Sequence, residues 1–262
     1  MRTGTGVFAA LTWFLVAVPA LSAARAEPLT HLYTVAVDVD AQGHVAGTTP
    51  AADTPAPIAT ILDQALKQWR FALVMQDGHA TSVHSYLVAD VQALPAGDGK
   101  YGVRVGYVGV GPSYQKPAGG KGPDYPQQVL QALIEGGRSQ GGAVIAVDLT
   151  LPPGGKLATT DAHVTTRAEL NMREKLTLIA AVKRYLLQGS VQPELVDGRA
   201  VTANLQTSMV VSLFPVESAT TGPSQDQATT DQAANSVAAR QDAAQSQSVL
   251  KPSMVDTVSL QP

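Results

Sequence analysis

Residues 137–141, Gly-Arg-Ser-Gln-Gly, carry the Gly-x-Ser-x-Gly spacing of a hydrolase nucleophile. That chemistry needs a strand before the serine and a helix after it, so that the hydroxyl stands exposed on a sharp elbow. Here a helical pattern precedes and a strand pattern follows, so the stretch reads as a Gly-rich loop and Ser139 as no nucleophile. His79 and His84 lie five apart in one expected strand, which points their side chains to opposite faces and denies them a shared metal. His31, His44 and His163 are scattered and form no expected ligand cluster. Gly119-Gly120-Lys121-Gly122 lacks the frame of a phosphate loop and has no Ser or Thr after the lysine. Asp38 and Asp148 recur at equivalent strand positions, where outward polar placement accounts for them without a paired-carboxylate site. The expectation is a non-enzymatic protein with no catalytic residue, metal or cofactor.

Composition narrows the classes further. The 262 residues are 45% hydrophobic but only 5% aromatic, with 23 Gly, 17 Pro and no Cys. Absence of cysteine excludes disulfides, thiolate metal sites and cysteine nucleophiles together. Arg2, an uncharged run over residues 7–21 and an Ala-x-Ala pattern ending at Ala26 read as a secretory signal peptide over residues 1–26. The apolar run is short against the roughly 20 residues needed to cross a bilayer. The chain carries 18 Lys and Arg against 21 Asp and Glu. Cleavage after Ala26 removes Arg2 and Arg25, leaving 16 minus 21, or −5. A mildly acidic surface disfavours nucleic acid and anionic lipid. The expected location is the periplasm of a Gram-negative envelope.

The elements that would position any site fall into two units, 29–111 and 123–216, separated by a Gly/Pro linker at 112–122. From Glu217 to Pro262 the composition turns to Ala, Gln, Ser and Thr without an aromatic residue, and the expectation is a disordered tail with a transient Ala-rich helix around Gln232 to Leu250. In the first unit Tyr33, Val35, Val37 and Val39 alternate with polar or small residues as a half-buried strand, and Gly43 turns the chain into a hairpin. Thr54 and Pro55 open a helix whose stripe is Ile58, Ile61, Leu62, Ala65, Leu66 and Trp69. Two more alternating runs, over 81–91 and 101–110, form a second hairpin. The second unit reads helix, hairpin, helix, strand: Pro126 opens the first helix, Thr166 with Glu169 caps the second, and Asp197-Gly198 launches a long closing strand. Matching Asp38 with Asp148, Trp69 with Tyr185, and Asp77-Gly78 with Asp197-Gly198 gives two copies of one domain.

Pro123, Tyr125, Pro126, Gly155, Tyr185, Pro193, Asp197, Gly198 and Phe214 stand in the order in which the second unit resembles the TonB C-terminal domain family. Trp69, Arg70, Phe71, Asp77 and Gly78 carry the same resemblance in the first unit. It implies an α+β fold: two tandem domains, each a small antiparallel sheet with helices packed on one face. It also implies recognition of an extended segment, in the family that of an outer-membrane receptor, by strand addition. The family's transducers have a membrane anchor and a Pro-rich spacer, and a chain cleaved after Ala26 retains neither. Most of these residues are architecture: Trp69, Phe71 and Tyr185 end amphipathic helices, and both Asp-Gly pairs form turns.

Function is therefore expected at exposed strand edges. The first unit has a hairpin partner for its long strand, whereas the second has none after 201–213. The docking residues expected there are Val201, Ala203, Leu205, Thr207, Met209, Val211 and Leu213, and the partner an envelope protein or extended peptide. Pairing of two copies through this edge is the homodimeric form of the same expectation. The competing reading is a TonB-like energy transducer that keeps its N-terminal segment as an anchor.

Overall fold

Alternation of Val35, Val37 and Val39 with Thr34, Ala36 and Asp38 builds the first strand of a computed structural model. It describes residues 29–97, 100–116, 129, 132, 141–166, 170–213, 238, 240–243 and 246–260. The first elements are β1 (Leu29–Val39), β2 (Val45–Pro50), α1 (Ala56–Leu66), β3 (Arg70–Phe71), β4 (Val74–Gln76), β5 (His79–Thr81), β6 (Val83–Gly97) and β7 (Lys100–Gly111). β8 (Ser113–Gln115), β9 (Gly141–Leu151), β10 (Ala158–Thr166), α2 (Met172–Leu186), β11 (Ser190–Gln192), β12 (Leu195–Val196), β13 (Arg199–Ala200) and β14 (Ala203–Leu213) follow. β15 (Pro252–Met254) and β16 (Val258–Leu260) close the chain. The signal-peptide segment, the Pro-x-Tyr-Pro residues, Ser139 and residues 214–237 lie outside the described residues.

Every strand pair among the described residues is antiparallel. One sheet runs β2-β1-β6-β7-β16, with the β12–β13 hairpin added to β6 beside the end of β7. A second sheet has the order β10-β9-β14. The chain is thus a mixed α+β protein built mostly from antiparallel sheet. Each sheet carries its own apolar core. Val35, Val37, Leu62, Leu66, Trp69 and Leu87 anchor the first, and Ile145, Leu149, Leu178, Val182, Tyr185 and Leu186 the second.

Local chemistry explains the turns. Asp77 and Gly78 have φ of 51° and 81°, and Asp197 and Gly198 of 51° and 72°. Two successive left-handed residues make the turn whose twist suits a two-residue hairpin, which is why Asp-Gly occupies both. Gly43, at φ 81°, is held more tightly, because a Cβ there would stand 2.1 Å from the Phe71 carbonyl oxygen. The β1–β2 turn is therefore clamped under β3, with Phe71 N–H donating to the Gly43 carbonyl at 2.9 Å.

Several expectations need correction. Thr54 does not cap α1: Pro55 is the N-cap residue and the Thr54 hydroxyl has no partner. The cap of α2 is Asn171 with Glu174, a reciprocal capping box; Thr166, expected to cap it, ends β10, and its expected partner Glu169 lies outside the described residues. The Asn171 amide oxygen lies at the right distance to receive the Glu174 N–H, which places the helix start later than Thr166 would. His79 and His84 sit on different strands, β5 and β6, because Ser82 breaks the run between them. The linker begins as structure: β8 pairs with β11, and the Tyr114 hydroxyl donates to the Leu186 carbonyl at 2.7 Å.

The largest correction concerns the tail. Residues 240–243 are helical, within the stretch where Ala and Gln favour a helix, but β15 pairs with β3 and β16 pairs with β7. Leu250 is buried to 2% exposure in the first core, joined by Val249, Val255 and Val258. A polar average over the whole tail concealed these few aliphatic residues, which gain burial only on a surface the first sheet supplies.

Candidate functional site

β14 lies at the edge of the second sheet and pairs with β9 along its full length, from Ala203 with Leu151 to Leu213 with Gly141. In an antiparallel ladder the main-chain groups of alternate residues face the same neighbour. The outward set is the even one: the Asn204 carbonyl accepts from Gln247 N–H at 3.0 Å, and Ser208 N–H donates to Asp242 Oδ2 at 2.6 Å. By the same parity Gln206, Val210 and Ser212 direct their main-chain groups outward. Among the described residues nothing pairs with this side beyond Ser208.

Parity also corrects the residues expected to meet a partner. Ala203, Leu205, Thr207 and Met209 are buried, with main-chain groups committed to β9, and Val201 packs partly buried against the first core. Val211 and Leu213 share their strand parity, opposite Ala143 and Gly141. An added strand would meet the even residues instead. Hydrophobicity along a strand marks its core face and not its hydrogen-bonding edge.

The tail crosses this edge and continues over the first sheet. Arg240 pairs with buried Asp90 at 2.7 Å, and Asp242 also receives the Ser208 hydroxyl at 2.6 Å. Burial raises the Asp242 carboxyl above its ordinary value, partly offset by the Ser208 hydrogen bonds and the charge of Lys116. Beneath lies a cleft of about 530 Å³ between the sheets, lined by Leu32, Tyr86, Tyr114, Leu205, Asp242 and Ala243. Close approach is required here, since a Cβ on Gly109 would stand 2.4 Å from the Ala243 carbonyl oxygen.

Glu194 joins three parts of the chain. Only 2% exposed, it receives the Ser85 hydroxyl of β6 at 2.6 Å, the Ser248 hydroxyl at 2.6 Å and the Val249 N–H at 2.9 Å. A buried carboxylate is tolerable only when its lone pairs are met in this way. Further along, the Lys251 carbonyl accepts from Ala72 N–H, and the Asp256 carbonyl accepts from the Trp69 indole at 2.9 Å. Sequence reasoning missed Glu194; its signal is a lone carboxylate beside the apolar β12.

The remaining expected residues are structural in placement. Trp69, Phe71 and Tyr185 are buried, and Arg70 donates to the Lys67 and Trp69 carbonyls. Pro193 is half-buried beside Glu194. Asp38 bonds His84 at 2.7 Å across the β1–β6 ladder. His163, expected to stand apart, instead comes together with Asp148 and Asp161, their ligand atoms within 4.8 Å of one another. Cross-strand pairing of β9 and β10 causes this, which spacing within one strand cannot reveal. These three could hold a cation, but Asp161 and His163 are exposed and Asp148 already receives Gln206 Nε2 at 3.0 Å.

The fold defines a class: a mixed α+β protein of mostly antiparallel sheets, in which, among the described residues, β14 is paired on one side along Val210–Leu213. Comparison with protein-family models, curated proteins and solved structures finds no match to this chain.

Proposed function

We propose that this chain is a non-catalytic binding or adaptor protein of the Gram-negative cell envelope, exported to the periplasm, which recognises an extended protein segment by strand addition. The observation that carries the reading is the one-sided pairing of β14 among the described residues, with the main-chain groups of Val210 and Ser212 directed outward beyond the tail contact at Ser208. An edge of this kind is a template for another strand unless it is covered. The resemblance of both units to TonB C-terminal domains supports a tandem pair, and an envelope protein such as an outer-membrane receptor would supply the segment. Sequencing the mature N-terminus tests export: a start at Glu27 is expected, and a retained segment would favour an anchored transducer.

Strand addition is tested in the full chain with a photo-crosslinking residue at position 212, activated in intact envelopes. The expected adduct maps to an extended stretch of its partner and disappears in Val210→Pro, which removes one outward N–H and spares the β9 ladder. Absence of an adduct, or an adduct indifferent to Val210→Pro, would overturn the reading.

A further inference from the structure

We infer that the channel between β3 and the outer edge of β7, closed at one end by Glu194, is a peptide-docking groove. Residues 248–260 are its resident occupant. Its exchange partner is an extended protein segment that offers a hydroxyl residue, a main-chain N–H and then a deeply buried aliphatic side chain. This site lies apart from the outward groups of Val210 and Ser212, and neither depends on the other.

The chemistry of the partner is read from the occupant. Ser248 hydroxyl and Val249 N–H satisfy the buried Glu194 carboxylate, and Leu250 enters the first core beside them. Beyond Leu250 the recognition is mostly main-chain: the Lys251 carbonyl to Ala72 N–H, the Asp256 carbonyl to the Trp69 indole, and short ladders at β15 and β16. Main-chain contacts with a few side-chain pockets are the signature of strand-type peptide recognition. The occupant is also lightly held outside those pockets. β15 is exposed at all three residues, its register with β3 is irregular, and β16 covers only Val103–Val105 of the twelve-residue β7. Such short, exposed pairings open first in local unfolding.

The groove's own donors and acceptors give the site its selectivity. Without an occupant, Glu194 loses two of its three donors and the Trp69 indole its acceptor. A segment lacking the hydroxyl would leave a buried carboxylate undersatisfied, so apolar strands are discriminated against.

The test uses the full chain and a fluorescent synthetic peptide of residues 246–260. Wild-type protein is expected to bind it weakly, because the tethered occupant competes at high effective concentration. The variant Ser248→Ala/Leu250→Asp, with a weakened occupant, is expected to bind at least ten-fold tighter. Adding Glu194→Ala should erase that gain, and a peptide carrying Leu250→Asp should not bind. A folded double variant that binds no tighter than wild type overturns the inference. Failure of that variant to fold also overturns it, since an exchangeable occupant cannot be obligatory for the fold. Dimers that trade residues 248–260 yet refuse the free peptide would assign the groove to a second copy and contradict it equally. Val210→Pro should leave peptide binding unchanged, which separates this outcome from the fate of the β14 edge.

Discussion

Trp69 and Gly189 each stand eight residues before the aspartate of an Asp-Gly turn, yet one is a large buried indole and the other has no side chain. The difference is filled from elsewhere: a Cβ on Gly189 would stand 2.3 Å from the Tyr114 hydroxyl, so the Tyr114 ring covers that position. Pairing Trp69 with Tyr185 by ring type misplaced the equivalence, because Tyr185 lies inside α2 while Trp69 lies past the end of α1. Gly189→Ala should push Tyr114 away and part β8 from β11, costing about 1–3 kcal/mol as overpacking does, measurable by denaturant titration. Glu194 gives a second residue-scale outcome. Glu194→Ala should destabilise by about 2–3 kcal/mol through stranded donors, and Glu194→Gln by less, because an amide oxygen still accepts. Equal melting of all three proteins would contradict the assigned role.

Among elements, the strands were legible wherever alternation was strong and the partner local. β1, β2, β6 and β7 follow from their own residues, as do both Asp-Gly hairpins. What could not be read is which strand covers which edge. β12 joins β6 of the other sheet, and Asp197 N–H reaches the Ser82 carbonyl, a contact between residues far apart in sequence. The helical tail residues depend similarly on Gly109. Gly109→Ala should displace residues 240–243 and break the Arg240–Asp90 pair, which crosslinking or exchange at Ser208 would report. A pH effect belongs to this element as well. Because burial raises the Asp242 carboxyl in the folded protein, its contribution to docking is full below the ordinary carboxyl value of 3.8 and declines as pH rises through the raised value. Protection of the Ser208 amide should therefore weaken with rising pH in that window, and Asp242→Asn should flatten the dependence.

At the scale of the whole molecule, two sheets with separate cores are tied by exchanged pieces. The second unit lends the β12–β13 hairpin to the first sheet, the segment after β7 lends Tyr114 to the second core, and the tail crosses both. Composition weighs each piece alone and so cannot show these exchanges. Val249, Leu250, Val255 and Val258 are too few to form a core by themselves, but suffice to complete one already built. Among the described residues the tail runs along β3 and β7 and reaches β14 at Asn204 and Ser208, which keeps the two proposed binding surfaces apart. Docking at β14 requires that its outer side beyond Ser208, unpaired among the described residues, be open in solution, and amide hydrogen exchange on the free full-length protein reads this. Rapid exchange at Val210 and Ser212, alternating with protection at Met209 and Val211, is the predicted result. Protection at all four amides would show the edge already covered and would rule out strand addition there.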